Sequence, residues 1–414
     1  MEYLEINHSE VEGIVCISGS KNIALPIICA SLLEKGQYLF SNIPDIKDIR
    51  VLLTIFSYLN VNTRFKDNNL FIDTSNLLIK EIPFSLIRKF RAAYYLLGVI
   101  LSQVDSYVFT YPGGCSFQSR PIDYHLKAFK KLGFNIEIKD DLISFYKERD
   151  AEKIISFPKP SVGATINVLL YASKEQKEII IENPSLDYEV KEVISYLNKL
   201  GAFIQIEDGK IHIFGNKLLT PVNYLIPYDR IECGTYMLLG LMNGKLLILG
   251  VNYYANKALF NLFDLLGVVY KYSNESVIVN KFIPNKSIKI TLSSDPFLHT
   301  DLGPLLCVFF SLGKKIVVIE DLIYEKRNSY VNELNKLGLK IKVINNKIII
   351  FPYSKFKEAS LYGKDLRGSM SLLLGAISSG KKIKLYGGEY IERGYENYLS
   401  KLASINVKID KYDE

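Results

Sequence analysis

Leu132-Gly133-Phe134-Asn135-Ile136-Glu137-Ile138 is one copy of a phrase that recurs along the whole chain. Glycine after leucine closes an amphipathic helix, because glycine takes the left-handed conformation that ends a helix without a side-chain penalty. The alternating apolar residues that follow read as a strand with one buried face. The same phrase stands at Leu59-Asn60, Leu200-Gly201, Leu266-Gly267 and Leu337-Gly338, with a degenerate sixth copy at Ala403-Ser404. The second positions lie 73, 68, 66, 71 and 66 residues apart, and six units in 414 residues average 69, so the repeat accounts for the entire chain.

Each phrase is preceded by a helical stripe, such as Ile46, Ile49, Leu52, Leu53, Phe56 and Leu59 on one face. A second strand follows it, at 69–73, 142–145, 210–214, 276–279 and 347–351, so a hairpin closes every unit but the last. About half a unit earlier comes an almost wholly apolar segment rich in small residues, at 22–33, 92–101, 163–172, 234–241, 301–309 and 368–375. A helix apolar on all sides is expected to be buried. With a short strand between the two helices, each unit reads as β-α-β-α-β-β, and the fold class is α/β with buried central helices. The sixth unit has no room for its last strand, and Tyr3-Leu4-Glu5-Ile6 is expected to supply it. The expected division is then a discontinuous C-terminal domain, 1–20 plus 227–414 with units four to six, and an N-terminal domain, 21–226 with units one to three.

Composition narrows the function. At 48% hydrophobic and 23% charged residues the chain is neither disordered, collagenous nor a coiled coil. No apolar run approaches the ~18 residues that span a bilayer. The acidic start Met1-Glu2-Tyr3-Leu4-Glu5 is no signal peptide, so a cytoplasmic location and no membrane partner are expected. Five cysteines at 16, 29, 115, 233 and 307 and four isolated histidines form neither a disulfide framework nor a metal-ligand pattern, so no metal and no cofactor are expected. The net charge of +7 comes from scattered lysines without aromatic interleaving, which argues against nucleic acid.

Of the 51 basic residues only ten are arginine and 41 are lysine. A chain so sparing with arginine should keep it where a planar, permanently charged fork is required. Five of the ten, Arg91, Arg120, Arg327, Arg367 and Arg393, stand in polar motifs, several of them at the entries of the apolar helices. Lys21-Asn22, Lys159 with Ser161 and Val162, and Thr300-Asp301 stand at other entries. Helix N-termini bind anions, so the set points to a polyanionic substrate carrying phosphate and carboxylate. Cys115 lies in the turn Pro112-Gly113-Gly114-Cys115, five residues before Arg120, where a thiol would be exposed and its thiolate stabilised, suiting a nucleophile or general acid. The other four cysteines fall in apolar patterns and read as core. His125 reads as an orienting or packing residue.

Ser18-Gly-Ser-Lys-Asn-Ile-Ala-Leu-Pro26, Arg91-Ala92, Pro112-Gly-Gly-Cys115, Arg120-Pro-Ile-Asp123, Ser161-Val-Gly-Ala-Thr165, Asp229-Arg-Ile-Glu232, Thr300-Asp301, Asp365-Leu-Arg367 and Glu392-Arg-Gly-Tyr-Glu396 together resemble the UDP-N-acetylglucosamine 1-carboxyvinyltransferase family, the enolpyruvyl transferases of peptidoglycan synthesis, over essentially the full length. The resemblance implies an inside-out α/β barrel of two domains with three repeats each and the active site between them. It implies phosphoenolpyruvate and UDP-N-acetylglucosamine as substrates, and a monomer or weak homo-oligomer. Lys21, Arg120 and Arg393 would hold the phosphate, with Arg327 and Arg367 near the carboxylate. Asn22, Arg91, Arg120, Pro121, Ile122, Asp123, Tyr124, Lys159, Ser161, Val162, Asp301 and Ile323 would line the nucleotide-sugar site. Asp301 would be the base for the sugar 3′-hydroxyl and Cys115 the acid that protonates the enol carbon; fosfomycin would alkylate that thiol. Two positions depart from the family pattern: Gln118 replaces a glycine, and Leu298-His299 replaces Phe-Pro. The shikimate-pathway sister enzymes share the fold, but their Gly-Ser-Lys-Ser and Gly-Asn-Ala-Gly-Thr motifs are absent.

Overall fold

The computed structural model describes residues 2–7, 10–113, 122–324, 327–352 and 355–413. The six apolar segments are helices: Lys21–Ala30, Tyr95–Leu101, Val162–Ala172, Arg230–Asn243, Gly303–Ser311 and Leu366–Ser379. A 3-10 turn leads into two of them, Arg91–Tyr94 into the second and Thr300–Leu302 into the fifth. They are buried on all sides, every residue of Gly303–Ser311 included. Helices with polar faces alternate with them and bury one stripe each, such as Ile49, Leu52, Leu53 and Phe56 in Lys47–Tyr58.

The helix-ending phrase works as its chemistry dictates. Gly201 and Gly267 take left-handed conformations at φ +110° and +81°. In the degenerate copy Ser404 stays right-handed at φ −65°, and Asn406 two residues later takes the left-handed turn at φ +67°. Asparagine tolerates that region where serine does not.

Among the described residues the strands form six small sheets, five of four strands and one of three. The fifth repeat shows the common order. Ile288–Leu292 runs parallel to Val317–Asp321 through the buried helix Gly303–Ser311; Lys347–Phe351 pairs antiparallel with Val317–Asp321, and Lys340–Ile344 closes the hairpin. Two repeats draw their first strand from far along the chain. Tyr224–Leu225 supplies it beside Gln37–Ser41, and Val11–Cys16 supplies it beside Gly244–Leu249. In the last repeat Glu2–Ile6 lies between Ile383–Tyr386 and Ile409–Asp413, antiparallel to both.

The second repeat departs from the β-α-β-α-β-β outline, because no strand precedes its buried helix. The segment before that helix carries Pro83, which has no N–H to give to a ladder. It is held instead by the Tyr107 hydroxyl, which accepts from Ile82 N–H at 3.2 Å and donates to Lys80 C=O at 3.1 Å.

The described residues of 1–18 and 228–414 make one compact unit, and those of 19–115 and 119–227 another, each with its own apolar core. Three cysteines, Cys29, Cys233 and Cys307, are buried, but Cys16 is exposed rather than core. On the strand Val11–Cys16 the buried face belongs to Val11 and Val15, so the next residue points the other way.

Candidate active site

In the unit with the C-terminal repeats, three predicted residues meet. Asp301 lies in the 3-10 turn that opens the helix Gly303–Ser311. Its Oδ1 accepts from Arg327 Nη1 at 2.7 Å and its Oδ2 from Arg367 Nε at 3.0 Å. Arg367 is 2% exposed and stands at the start of Leu366–Ser379, where the Asp365 carboxylate caps the helix by accepting from the Arg367 and Gly368 N–H groups at 3.1 and 3.0 Å. Asp365 also lies 3.8 Å from Arg327 Nη2. The Arg367 guanidinium sits 5.0 Å from the centre of the Tyr395 ring, and the Tyr395 hydroxyl is 2.9 Å from Thr235 Oγ1. Among the described residues, Arg367 Nη1 is buried with no hydrogen-bond partner.

Burial alone would raise the pKa of Asp301, but Arg367, then Arg327 and His299, outweigh it and hold the carboxyl well below the ordinary range. Burial alone would lower both guanidiniums, but both are shifted upward, Arg327 by Asp301 and then Asp365, and Arg367 by Tyr395 and then Asp301. Two permanent cations thus share the Asp301 carboxylate, and Asp365 supplies a second negative charge beside Arg327. His299 braces the turn, its Nδ1 accepting from Asp301 N–H at 3.1 Å. Arg393 ends the 3-10 helix Gly388–Arg393; its neighbour Gly394 abuts Leu366 so closely that a Cβ would lie 2.5 Å from Leu366 Cδ2, which sets Arg393 beside the helix start that carries Arg367. Ile323 is exposed, with its N–H tied to Asp321 Oδ1 at 2.9 Å.

The other unit gathers a second group. Lys21 begins the helix Lys21–Ala30 and pairs with Asp48 at 2.7 Å, both largely buried; Asn22 follows it, half-buried. The Arg91 guanidinium lies 5.7 Å from the centre of the Tyr94 ring, and that ring is 4.6 Å from His125. Ser161 caps Val162–Ala172, accepting from Ala164 N–H at 3.4 Å, so Val162 is the first helical residue. Ile122 is buried ahead of Asp123, which opens Asp123–Lys131, and the Tyr124 ring faces Phe157 at 6.4 Å. Lys159 is exposed. Burial first and Arg91 second push His125 down to about 3, so it is neutral at working pH. Cys115, Gln118, Arg120 and Pro121 lie outside the described residues.

Four supporting residues have no role assigned from the sequence, although Asp365 and Tyr395 stand within the quoted motifs. Asp365 was signalled by an aspartate just before an apolar helix, the mark of an N-cap. Asn167 was signalled by a carboxamide within an apolar run. Tyr94 lies one 3-10 turn after Arg91, a spacing that could have signalled the contact, whereas the Arg367 contact of Tyr395, 28 residues on, carried no local signal.

The model of the family described as EPSP synthase (3-phosphoshikimate 1-carboxyvinyltransferase) matches residues 6–402. Curated relatives named UDP-N-acetylglucosamine 1-carboxyvinyltransferase match nearly end to end. That of Thermotoga petrophila is 32% identical over 97% of this chain and 96% of its own length, and that of Kosmotoga olearia 33% over 97% of each. The chain belongs to the UDP-N-acetylglucosamine 1-carboxyvinyltransferase family. Solved enolpyruvyl transferases share the fold: NikO from Streptomyces tendae has a TM-score of 0.90 at 21% identity, covering 99% of both chains, and EPSP synthase from Acinetobacter baumannii 0.79 at 15%, covering all of both. Membership of this enolpyruvyl transferase family therefore accounts for the repeat architecture. Among the described residues no group of histidine, cysteine and carboxylate side chains could hold a metal ion, and no helix is long and apolar enough to cross a membrane.

Proposed function

We propose that the protein transfers the enolpyruvyl group of phosphoenolpyruvate to the 3′-hydroxyl of UDP-N-acetylglucosamine with release of phosphate, the first committed step of peptidoglycan synthesis. The observation that carries the reading is the Asp301 carboxylate held between two buried arginines, of which Arg367 keeps a buried Nη1 with no hydrogen-bond partner among the described residues. An anion entering this cluster relieves Asp301 of its partners. As guanidinium charge turns to the substrate carboxylate, the Asp301 pKa rises from its depressed value, and the group gains basicity when the second substrate is in place.

The steps follow. The Cys115 thiol gives its proton to C3 of phosphoenolpyruvate, leaving cationic character at C2. The sugar hydroxyl attacks C2 while Asp301 takes its proton, forming a tetrahedral ketal. The Cys115 thiolate takes a proton back from C3 as the C2–O bond to phosphate breaks, which restores both the thiol and the double bond on the sugar ether. Lys21, Arg120 and Arg393 take the phosphate, and Arg327 and Arg367 the carboxylate; fixed positive forks stabilise charge that develops on the leaving group. Asn22, Arg91, the 120–124 stretch, Lys159, Ser161, Val162 and Ile323 receive the nucleotide sugar. Both substrates are phosphorylated anions, so the reading places the enzyme in the cytoplasm.

Phosphate release from phosphoenolpyruvate, measured with UDP-N-acetylglucosamine and in parallel with shikimate 3-phosphate, tests this. Release with the sugar nucleotide, lost or sharply reduced in Cys115→Ala, is expected. Release with shikimate 3-phosphate alone would move the chain to the sister activity.

A further inference from the structure

Three segments of the unit with the N-terminal repeats carry residues assigned above to the nucleotide sugar: Arg91, Ile122 to Tyr124, and Ser161 with Val162. One buried side chain touches the elements behind all three. Asn167, in Val162–Ala172, is 1% exposed. Its Oδ1 accepts from Gly98 N–H at 2.9 Å, and its Nδ2 donates to Tyr94 C=O at 3.0 Å. These two backbone groups are four residues apart, the donor and acceptor of the first α-helical turn after the 3-10 turn that carries Arg91. The carboxamide grips both and braces that junction.

The same contacts settle protonation. A backbone N–H can only donate and a carbonyl can only accept, so the oxygen and nitrogen of Asn167 are fixed. Nδ2 also lies 2.7 Å from His125 Nδ1 in the helix Asp123–Lys131. An amide nitrogen is only a donor, so Nδ1 accepts and the imidazole proton sits on Nε2. Close packing completes the lock. A Cβ on Gly98 would lie 2.6 Å from Asn167 C=O and 2.8 Å from its Oδ1, and a Cβ on Gly163 would lie 2.8 Å from the Tyr94 hydroxyl. Tyr94 thus fills the space between Arg91, His125 and the start of Val162–Ala172.

We propose that Asn167, with His125 as its acceptor, is a positioning residue that holds Arg91, the start of Asp123–Lys131 and the start of Val162–Ala172 in one register for the sugar nucleotide. This rests on the function proposed above. No segment can slide without breaking a buried hydrogen bond that water cannot replace. Neither side chain is assigned to touch substrate, so the effect acts through the residues they place.

Steady-state kinetics of the full chain test it with Asn167→Leu, His125→Phe and His125→Asn; the asparagine oxygen stands where Nδ1 stood. One lost buried hydrogen bond corresponds to roughly a five- to hundredfold effect. Asn167→Leu and His125→Phe are expected to raise KM for UDP-N-acetylglucosamine within that range, to leave KM for phosphoenolpyruvate within about twofold, and His125→Asn to restore the wild-type value. Where Asn167→Leu does not fold, the two His125 variants give the same comparison. A fall in kcat with both KM values unchanged is what mere loss of folded protein produces, and it would overturn the proposal, as would His125→Phe and His125→Asn behaving alike. A wild-type chain inactive with the sugar nucleotide would instead overturn the functional reading beneath it.

Discussion

Asp301 separates what a residue does for stability from what it does for chemistry. Replacing it with asparagine takes the shared carboxylate from Arg327 and Arg367 and leaves Arg327 with Asp365, at 3.8 Å; a buried pair that loses one partner costs about 3–5 kcal/mol. Asp301→Asn is therefore expected to lower the urea midpoint, to recover part of it in millimolar phosphate, and to lower kcat by about 10²–10⁴ through loss of the base. A midpoint indifferent to phosphate would show that the two arginines do not form an anion site. His125 gives a pH-dependence of known sign. Its folded pKa, about 3, lies below the unfolded value of about 6.5, so the unfolded chain binds the extra proton and stability falls as pH drops below 6.5. Between pH 6.5 and 5 the loss is between about 1 and 2 kcal/mol, because the slope reaches 1.36 kcal/mol per pH unit only well below 6.5. Chemical denaturation at both pH values should show this loss in the wild type and a shallower slope in His125→Asn. Asp301 acts in the same direction at lower pH: its depressed pKa contributes stability above about 4 that disappears on further acidification.

Helices and hairpins were legible because their signals are local. Leu200-Gly201 states a helix end, and the alternation after it states a strand, without reference to any other part of the chain. Missed elements depended on groups distant in sequence. The segment before Arg91 resembles the other strand entries by position, yet its partner is a phenol 25 residues on. Tyr107→Phe should cost about 1–3 kcal/mol, because Ile82 N–H and Lys80 C=O lose their shared partner in a dry site; an unchanged denaturation midpoint would count against that account. Likewise the 92–101 run reads as a small-residue helix, but which small residue is indispensable shows only in its contact with Val162–Ala172. Gly98→Ala, neutral or favourable in an isolated helix, should here cost about 1–3 kcal/mol through overpacking against Asn167. The candidate site divides in the same way: the arginines were legible from their scarcity, whereas the Asn167 contacts to Tyr94, Gly98 and His125 arise only when separate repeats pack together.

Repeats that are alike in sequence are not closed along the chain, and the whole molecule is built on that exchange. Val11–Cys16 and Tyr224–Leu225 each serve a repeat whose other strands lie far from them in sequence, and Glu2–Ile6 completes the last. Glu2 pairs with Asp413 and Ile6 with Ile409, so a chain leaving Asp413 through a tight turn would enter the strand at Glu2 in the correct direction. The strand's contribution therefore does not require its present covalent attachment. Deleting residues 2–6 exposes the pocket filled by Leu4 and Ile6, at 1% and 0% exposure, and should cost about 3–6 kcal/mol at about 1.5–3 kcal/mol per buried aliphatic side chain. Appending the same five residues after the C-terminus through an Asn-Gly turn should restore most of that loss, since the sheet regains its central strand in the same register. Thermal unfolding of the wild type, the deletion and the transplant makes the comparison. A transplant no more stable than the deletion would mean that the strand acts through its link to Val11–Cys16 rather than through its place between Ile383–Tyr386 and Ile409–Asp413.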